Sequence, residues 1–497
     1  MAQLPKLLSK TRLMRGYRCL KNIYLNVHSP SLEAPISEET HALFDQGNLV
    51  GEAARRCIPG GVLIDNKPWD FVGSLKKTRE LIANGTHLIY EAAFEHQGCY
   101  ARADMIQFSA ETKKWTILEV KSSTKVKPEQ LDDICLQAWI IANAGLPIER
   151  INILHLNSAC RYPDLSNLFS VEDVTQHARE RYSLTLPKVT EIYGVIRKSD
   201  SPPTDIGPHC LAPNECGFLN ECWSEKKIPE VSVFDLPKIG DKKWALYNQG
   251  IVALDDERLD GLAPPQARMV ACYKSGDRFV DADGIRSALK GWKFPLVFLD
   301  FETIGPAIPR FDGCGPFRQV PFQFSVHVCA SLDGPSQHFE YLHSDDTDPR
   351  SSLIPELVKA CEGDGSVVSY YSRFEIDRTE EMAAQFPKYA NALRAIVARM
   401  QDPLPIFREH VYDNGFAGSF SLKNVAPAIL GSEHTYDGMR VGDGGAAQRA
   451  FEEMISTETP THEKLTLRRA LLEYCKKDTW VMVELVRWLY QETSAHI

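Results

Sequence analysis

The segment Pro295-Leu-Val-Phe-Leu-Asp300-Phe-Glu302-Thr-Ile-Gly-Pro carries the most informative pattern in this 497-residue chain. Its apolar run is typical of a central strand that is buried on both faces. Side chains two residues apart on a strand share a face, so Asp300 and Glu302 point the same way. Two ionised carboxylates at the end of a buried strand are costly without a cation. The segment therefore predicts a central strand that presents two acids to a metal ion.

Later segments add further groups to this predicted site. The segment 321–330 predicts the paired strand, and the segment 366–375 predicts a strand that runs into a helix with Glu375 in its first turns. Tyr474 and Asp478 are four residues apart on an amphipathic helix and so face one side. By themselves they would indicate only a helix-surface pair. With the strand acids they complete a set that can hold two Mg²⁺ ions for in-line hydrolysis, while Tyr474 orients or activates the water. The predicted metal ligands are Asp300, Glu302, Glu375 and Asp478.

The order Asp-x-Glu, Phe-Glu and Tyr-x-x-x-Asp resembles that of the DnaQ-like DEDD exonucleases, which have an RNase H-like fold. Gly418-Ser-Phe-Ser-Leu-Lys423 is similar to the Ser-Leu segment that these enzymes carry before the last acid. Glu375 stands where the family has Asp, and Asp402 is a candidate for an additional acid. The resemblance implies a 3′→5′ exonuclease domain over residues 291–497 that uses Mg²⁺ or Mn²⁺.

A second set of candidate residues lies on strand-like segments between residues 87 and 124. These segments carry, in order, Glu91, then Asp104, then Glu119 and Lys121. Two carboxylates can hold Mg²⁺ or Mn²⁺, which lowers the pKa of a bound water. A lysine on the same strand face can steady the attacking hydroxide or the developing charge. An isolated Glu-x-Lys would indicate only a solvated strand, but the ordered set predicts phosphodiester hydrolysis.

This order resembles the PD-(D/E)XK nuclease motif, which implies a restriction-endonuclease-like mixed sheet flanked by helices. The helix 131–141 resembles the RecB-family helix whose glutamine, here Gln137, lies near the metal site. That family often has Gly-x-x-x-His on its first helix, whereas this chain has Gly47-Asn-Leu-Val-Gly51. Ile141 stands where the family usually has Tyr. The resemblance implies metal binding by Glu91, Asp104 and Glu119, and catalytic roles for Lys121 and Gln137.

Three cysteines lie in the segment 206–223, which is interrupted by proline and glycine. Five residues separate Cys210 from Cys216, and five more separate Cys216 from Cys222. Because this segment has little apolar periodicity, something other than a core is needed to hold it. Cys19 is a candidate for a fourth ligand. Free thiols, a zinc site and an iron–sulfur cluster are the three interpretations. The spacing is wider than that of structural zinc pairs, whereas four-cysteine clusters tolerate it.

One early cysteine and three late ones around a nuclease core resemble the iron-staple arrangement of AddB and of the RecB-like iron–sulfur nucleases of CRISPR adaptation. The resemblance implies a [4Fe–4S] cluster that closes a first domain over residues 1–228. Cysteine ligation does not by itself distinguish a structural cluster from a redox cluster. The implied ligands are Cys19, Cys210, Cys216 and Cys222.

A helical connector is predicted over residues 229–290. The segment 236–256 has the pattern of a helix, a turn hinged at glycine and a second helix. It faintly resembles a helix-hairpin-helix, whose turn amides bind a phosphate. A plain two-helix connector is the competing interpretation.

Composition limits the classes of function. The chain has 56 Lys and Arg against 66 Asp and Glu, a net charge of −10, which argues against a basic coat for nucleic acid. A polyanionic substrate would therefore need a local basic cleft and a divalent metal ion. No apolar run reaches the roughly 20 residues of a membrane span, and the first 30 residues lack a signal-peptide core. We expect a cytoplasmic protein without a membrane partner, whose thirteen cysteines are reduced or metal-bound.

Taken together, the sequence predicts an α/β protein with two nuclease centres that acts on DNA, by exonucleolytic cleavage, in DNA repair or in defence against foreign DNA. Two alternatives remain at this point. One is a nucleic-acid-binding scaffold or iron–sulfur redox sensor in which one or both nuclease sites are degenerate. The other is a nuclease directed at RNA.

Overall fold

A computed structural model describes residues 7–494. The chain divides into two compact units. The first unit contains the described residues up to Lys227 together with Pro306–Phe317, and the second contains Ile228–Gly305 and the described residues from Arg318 onward. Each unit contains mixed β-structure flanked by helices, so the predicted α/β class is confirmed. Within 7–494, no helix combines the length and the apolar character needed to cross a membrane.

The first unit is built on a seven-stranded sheet. Its strands are β1 (Leu8–Ser9), β2 (Val62–Leu63), β3 (Leu88–His96), β4 (Cys99–Ser109), β5 (Lys114–Lys121), β6 (Ile148–Leu156) and β7 (Phe169–Asp173). Its helices are α1 (Lys10–Arg18), α2 (Leu20–His28), α3 (Glu38–Cys57), α4 (Phe71–Ala83), α5 (Pro128–Asn143), α6 (Thr175–Ile196) and α7 (Leu219–Glu225).

The strand order of this sheet is β2-β3-β4-β5-β6-β7, with β1 added in parallel to one end of β4. Strands β3, β4 and β5 form an antiparallel meander, and β6 joins β5 in parallel. Helix α5 connects β5 to β6, as a parallel pair requires. It buries every residue from Ile134 to Ile141 because it packs against the sheet. The pairing therefore places the β5 acid and the α5 glutamine in one region.

The second unit contains a five-stranded sheet and a separate two-stranded one. Its strands are β8 (Phe279–Val280), β9 (Leu296–Ile304), β10 (Val320–Cys329), β11 (Ser336–Leu342), β12 (Val367–Val368), β13 (Met400–Gln401) and β14 (Val411–Tyr412). Its helices are α8 (Lys242–Asn248), α9 (Pro264–Ser275), α10 (Ala282–Leu289), α11 (Arg350–Ala360), α12 (Arg373–Gln385), α13 (Ala390–Val397), α14 (Leu404–His410), α15 (Leu422–Leu430), α16 (Gly444–Ile455) and α17 (Thr461–Ser494).

The five-stranded sheet has the order β11-β10-β9-β12-β13. Strands β9, β10 and β11 are antiparallel neighbours, and β12 and β13 continue the sheet in parallel from β9. Strand β9 is the central strand and is buried along most of its length, as its apolar sequence predicts. The carboxyl ends of β9 and β12 meet at one edge, where α/β sheets commonly carry their binding sites.

The two-helix pattern predicted over residues 236–256 differs from the structure in its second half. Helix α8 ends at Asn248, and the next helix begins only at Pro264, so no helix follows Gly250 directly. The helix-turn-helix pattern predicted over 236–256 is therefore not formed. The connector instead packs within the second unit, where Val233, Leu254 and Met269 share one apolar cluster with residues of α14 and α17.

Candidate active site

The two acids of the opening segment lie at the centre of the second unit. Asp300 and Glu302 share one face of β9, and Cys475 of α17 approaches it with its sulfur 3.6 Å from Asp300 Oδ2. Ligand atoms of Asp300, Glu302 and Cys475 lie within 4.8 Å of one another. Among residues 7–494, this is the only such group of three His, Cys, Asp or Glu side chains.

Two further acids reach the same place from different elements. Glu375, in the first turn of α12, is 4% exposed, and its Oε2 atom has no hydrogen-bond partner. Asp478 of α17 accepts a hydrogen bond of 2.5 Å from the Tyr436 hydroxyl. One cleft of about 520 Å³ is lined by all four acids and by Tyr474. We call this site the carboxylate cleft. It brings together the five residues that the sequence assigned to one site from three separate segments, namely Asp300, Glu302, Glu375, Tyr474 and Asp478.

Burial and mutual repulsion dominate the electrostatics of the carboxylate cleft. Burial, followed by the charge of Asp478, raises the pKa of Asp300 and of Glu302 well above the usual carboxyl range. Burial raises the pKa of Glu375 to about 8 and that of Asp478 to about 6. Lys423 opposes the shifts of Glu302 and Asp478. Four buried or half-buried acids whose nearby cations do not restore an ordinary pKa fit a divalent cation, because unpaired buried carboxylates are unstable in their charged form.

The structure also separates active-site candidates from structural groups. Asp402, a candidate for an additional acid, accepts hydrogen bonds from the backbone amides of Tyr371, Ser372 and Leu404 at 2.9 to 3.0 Å. Its carboxylate therefore fixes the chain before α12 and does not serve as a further ligand.

Tyr436 was missed by the sequence analysis, since nothing in its local sequence indicates contact with an acid 42 residues away.

The predicted acids of the first unit occupy one row of its sheet. Strands β3 and β4 are paired just before and just after Glu91 and Asp104, so these two acids lie opposite each other. The register of β4 and β5 places Glu119 beside Asp104. Glu91 has a φ of 59°, an uncommon conformation for a residue with a side chain. Burial, then Glu119 and Glu91, raise the pKa of Asp104 to about 8. The sheet thus brings these three carboxylates together.

Two lysines bind the central acid of this row. Glu119 is 3% exposed, and its Oε1 atom accepts hydrogen bonds from Lys10 at 2.8 Å and from Lys121 at 2.9 Å. Its Oε2 atom accepts one from Gln137 at 2.7 Å. Both lysines also pair with Asp133, at 3.0 and 2.6 Å. The structure therefore joins Glu119, Lys121 and Gln137 as one network, but every oxygen of Glu119 already has a protein partner.

Lys10 and Asp133 were missed by the sequence analysis. Lys10 lies 109 residues before Glu119, so no local pattern relates the two. Asp133 lies one helical turn before Gln137 on α5, a spacing that could have identified it. Burial alone would lower the pKa of Lys10, but Asp133 and Glu119 raise it above its ordinary value. Lys10 therefore places its charged ammonium beside Glu119, where a metal-dependent site would hold its metal ion.

Glu91 has partners of its own. Its carboxylate lies 3.4 Å from Arg102 Nε and 4.0 Å from Arg55 Nη1. Arg55 is one helical turn after Gly51, the position at which the sequence lacks the histidine of the nuclease motif that it resembles. An arginine cation therefore faces Glu91 from this helix.

The four cysteines of the predicted cluster approach one another in the first unit. The charges of Cys19, Cys210 and Cys216 all act on Cys222, whose pKa is raised to about 11, chiefly by burial. All thirteen cysteines of the chain are free of disulfides. Among the described residues, no three of these four sulfurs lie within 4.8 Å of one another.

Polar groups from α1 and α2 surround these cysteines. Asn22 donates a hydrogen bond to the Cys216 sulfur at 3.1 Å. The Arg18 guanidinium donates to the backbone oxygens of His209 and Cys210 at 2.7 and 3.2 Å. The segment is therefore attached to the start of the chain through polar contacts as well as through the small apolar cluster around Phe218.

The fold and site define an α/β protein with a buried acidic cluster on the central strand of one sheet. A family model described as a domain of unknown function (DUF2779) matches residues 297–421. Among solved structures, the chain is similar to the crystal structure of an alkaline exonuclease (LHK-Exo) from Laribacter hongkongensis. The two share 13% identity with a TM-score of 0.22, over 39% of this chain and 94% of that one. No curated protein sequence matches the chain.

The raised pKa values predict how pH affects the metal-free protein. An acid with a raised pKa in the folded state holds its proton more tightly there than when unfolded, so stability falls as pH rises between the two pKa values. For Glu375 this interval runs from about 4, its unfolded pKa, to about 8. With EDTA present, the free energy of unfolding of wild type should fall more steeply between pH 6 and 8 than that of Glu375→Gln, by up to roughly 1 kcal/mol per pH unit.

Urea denaturation at pH 6, 7 and 8 measures this difference. Glu380→Gln is the matched control, since Glu380 lies on the same helix but pairs with Arg394 at 3.4 Å. It should keep the wild-type slope. Equal slopes for wild type and Glu375→Gln would contradict the burial of an ionisable Glu375 carboxyl.

Lys10 should compete with divalent metal at the first centre. Removing its ammonium in Lys10→Met leaves Lys121 as the remaining lysine on Glu119. We expect tighter Mn²⁺ binding, because Mn²⁺ no longer has to displace a buried ion pair. Titration calorimetry in the Asp300→Asn/Asp478→Asn background isolates the first centre. The exposed Lys125→Met serves as control. Weaker Mn²⁺ binding by Lys10→Met than by this control would show that Lys10 supports metal binding.

Proposed function

We propose that the protein is a metal-dependent nuclease whose hydrolytic centre is the carboxylate cleft. The observation that carries this proposal is the convergence of four acids from β9, α12 and α17 in one open cleft, where Glu302, Glu375 and Asp478 are buried and Asp300 is half-buried. Nearby cations offset the effect of burial only in part, because Lys423, Lys477 and Arg378 each lower the pKa of one or two of these acids, yet the pKa of all four stays raised. A divalent cation, when bound, neutralises phosphate charge and lowers the pKa of a bound water.

The residues of the cleft have distinct proposed roles. Asp300, Glu302, Glu375 and Asp478 would hold the Mg²⁺ or Mn²⁺ ions. Tyr436 holds the Asp478 carboxylate through its hydroxyl. Tyr474, one helical turn before Asp478, is placed to orient the water or the phosphate. Lys423 lies 5.7 Å from the Tyr474 ring and adds a positive charge beside the cleft for a phosphate oxygen.

The substrate and mode of cleavage follow from the sequence resemblance. Both units resemble nucleases that act on DNA, which supports DNA as the substrate. The resemblance of the second unit to exonucleases supports cleavage from a strand end. Repair of DNA or defence against foreign DNA is the process in which such an activity would be used. RNA is the alternative substrate.

For the first unit, the lysine contacts favour a second candidate role. Lys10 and Lys121 already neutralise Glu119 and Asp133, which lowers the need for an external cation. This arrangement favours a nucleic-acid-binding module, with hydrolysis by Glu91, Asp104, Glu119, Lys121 and Gln137 as the other possibility. A two-centre nuclease requires that metal displaces Lys10 from Glu119.

We also propose a [4Fe–4S] cluster held by the four cysteines of the first unit. Their mutual approach, and a sequence spacing wider than that of structural zinc pairs, support this cluster over a zinc site. The Asn22 amide on Cys216 and the charge of Lys21, which opposes the raised pKa of Cys222, would stabilise thiolates. The cluster would link α1 and α2 to the segment that ends in α7.

Iron and sulfide analysis of anaerobically purified protein tests the cluster. Wild type should contain about four irons and four sulfides per chain, as the cluster formula requires. Cys216→Ser should lose most of both, because one of four thiolates is removed. Cys57→Ser is the control, since Cys57 is an exposed cysteine outside the group. Full iron content in Cys216→Ser, or zinc in place of iron in wild type, would overturn the proposal.

End-labelled strands test the nuclease proposal. With Mn²⁺ or Mg²⁺, wild type should degrade DNA, and Asp300→Asn should reduce the rate at least about 100-fold, the scale of losing one key electrostatic group. Asp346→Asn removes an exposed acid of the same unit and should keep the wild-type rate. Lys121→Ala and the double variant show whether the first unit also hydrolyses DNA, and a matched RNA strand tests the alternative substrate. Equal inertness of wild type and Asp300→Asn on every strand would refute the proposal.

A further inference from the structure

A second cavity, of about 560 Å³, adjoins the carboxylate cleft within the second unit. Tyr370 and Tyr371 line both spaces, so the two lie side by side at these tyrosines. The other walls come from the connector, from α14 and from the chain around residues 418–422. We call this space the aromatic cavity. Its volume is in the range of natural ligand sites.

The lining of the aromatic cavity is apolar with two positive charges. Lys238 and Arg408 are its charged residues, and no carboxylate lines it. Neither side chain forms an ion pair with any carboxylate of residues 7–494. Lys238 is exposed and Arg408 is half-buried, so both cations are accessible to a bound anion. The cavity therefore suits a ligand with both flat apolar groups and negative charge.

Tyr371 presents its ring where the two spaces meet. It is 58% exposed and has a φ of 63°, the left-handed conformation that residues with side chains seldom adopt. Its backbone amide donates a hydrogen bond of 3.0 Å to Asp402, which holds the chain in this conformation. An exposed aromatic side chain on such a fixed backbone is a suitable stacking platform for a nucleobase.

The walls around Tyr371 are also held firmly. The neighbouring Tyr370 hydroxyl donates to the Phe420 backbone oxygen at 2.7 Å. Gly418 approaches the connector so closely that a Cβ there would lie 1.8 Å from the Asp235 oxygen. The connector is thus a fixed wall of the cavity, so the segment that the sequence predicts only as a connector contributes to the site.

We propose that the aromatic cavity binds unpaired nucleobases of a single-stranded nucleic acid whose scissile phosphate lies in the carboxylate cleft. This inference rests on the proposed nuclease function and names its substrate class. The bases would stack on Tyr371 within the apolar walls, while Lys238 and Arg408 bind the phosphates on either side. Bases of a duplex remain stacked and paired, and entry would require their extrusion at a cost in free energy. The site therefore selects single strands over duplexes.

Photocrosslinking of the full-length chain locates the contact directly. A single strand carrying 5-iododeoxyuridine, bound in EDTA so that no cleavage occurs, should crosslink to Tyr370 or Tyr371, as identified by mass spectrometry. The matching duplex should give at least about tenfold less of this product. A crosslink confined to other residues, or equal yields from both substrates, would overturn the inference.

Affinity for the single strand, measured by fluorescence anisotropy, provides the energetic test. Tyr371→Ala should weaken binding about tenfold or more, the loss expected for one stacked base, while Tyr371→Phe should bind like wild type. Tyr273→Ala removes another exposed tyrosine, on α9 outside the cavity, and should have no effect. Lys238→Gln should reduce the salt dependence of binding by about one unit of slope. Wild-type affinity in Tyr371→Ala would contradict the proposal.

These results separate the cavity from the nuclease proposal. If hydrolysis depends on Asp300 but not on Tyr371, and no crosslink forms, the base-binding role of the aromatic cavity is refuted while the nuclease proposal stands. Binding that depends on Tyr371 in an inert wild type would keep the cavity and refute the hydrolytic centre.

Discussion

The repulsion among four carboxyl groups, three buried and one half-buried, is the constraint on which the second unit depends. Strand β9 places two of them in the sheet, and α12 and α17 add one each. A charged carboxylate buried without a partner is strongly unfavourable, so the unit must either protonate these groups or bind cations. Without a metal ion, the raised pKa values of all four groups favour their protonated forms. Binding a divalent ion is the alternative to protonation, and its positive charge makes the otherwise unfavourable cluster a site for phosphate chemistry.

The first unit meets the same constraint in a different way. Its central acid, Glu119, is bound by two lysines and a glutamine from three parts of the chain. Internal ammonium groups stabilise the buried charge, but they also occupy the oxygens that a metal would need. The pKa of Glu119 is accordingly lowered, chiefly by Lys10 and Lys121 against the effect of burial. The two units thus differ in how the charge of their strand acids is compensated, because two lysines of the chain bind Glu119 whereas the acids of the carboxylate cleft all keep a raised pKa.

The sequence predicts local features well and distant partners poorly. The buried strand β9, the spacing of Asp300 and Glu302, and the i, i+4 pair on α17 follow from periodicity, and the structure contains all of them. Lys10 and Tyr436 could not be predicted, since each meets its acid through tertiary packing over more than 40 residues. Asp402 shows the opposite error, because an acid near a catalytic motif can be a backbone cap. The role of the connector as a cavity wall likewise depends on packing that no local pattern encodes.

A Mn²⁺-soaked crystal examined by anomalous diffraction tests the central claim most directly. The account predicts anomalous density between Asp300, Glu302 and Asp478 in wild type, and its loss in Asp300→Asn while the protein remains folded. Absence of Mn²⁺ from the carboxylate cleft at neutral pH, with density confined to surface carboxylates, would contradict the claim that this cluster is a metal centre.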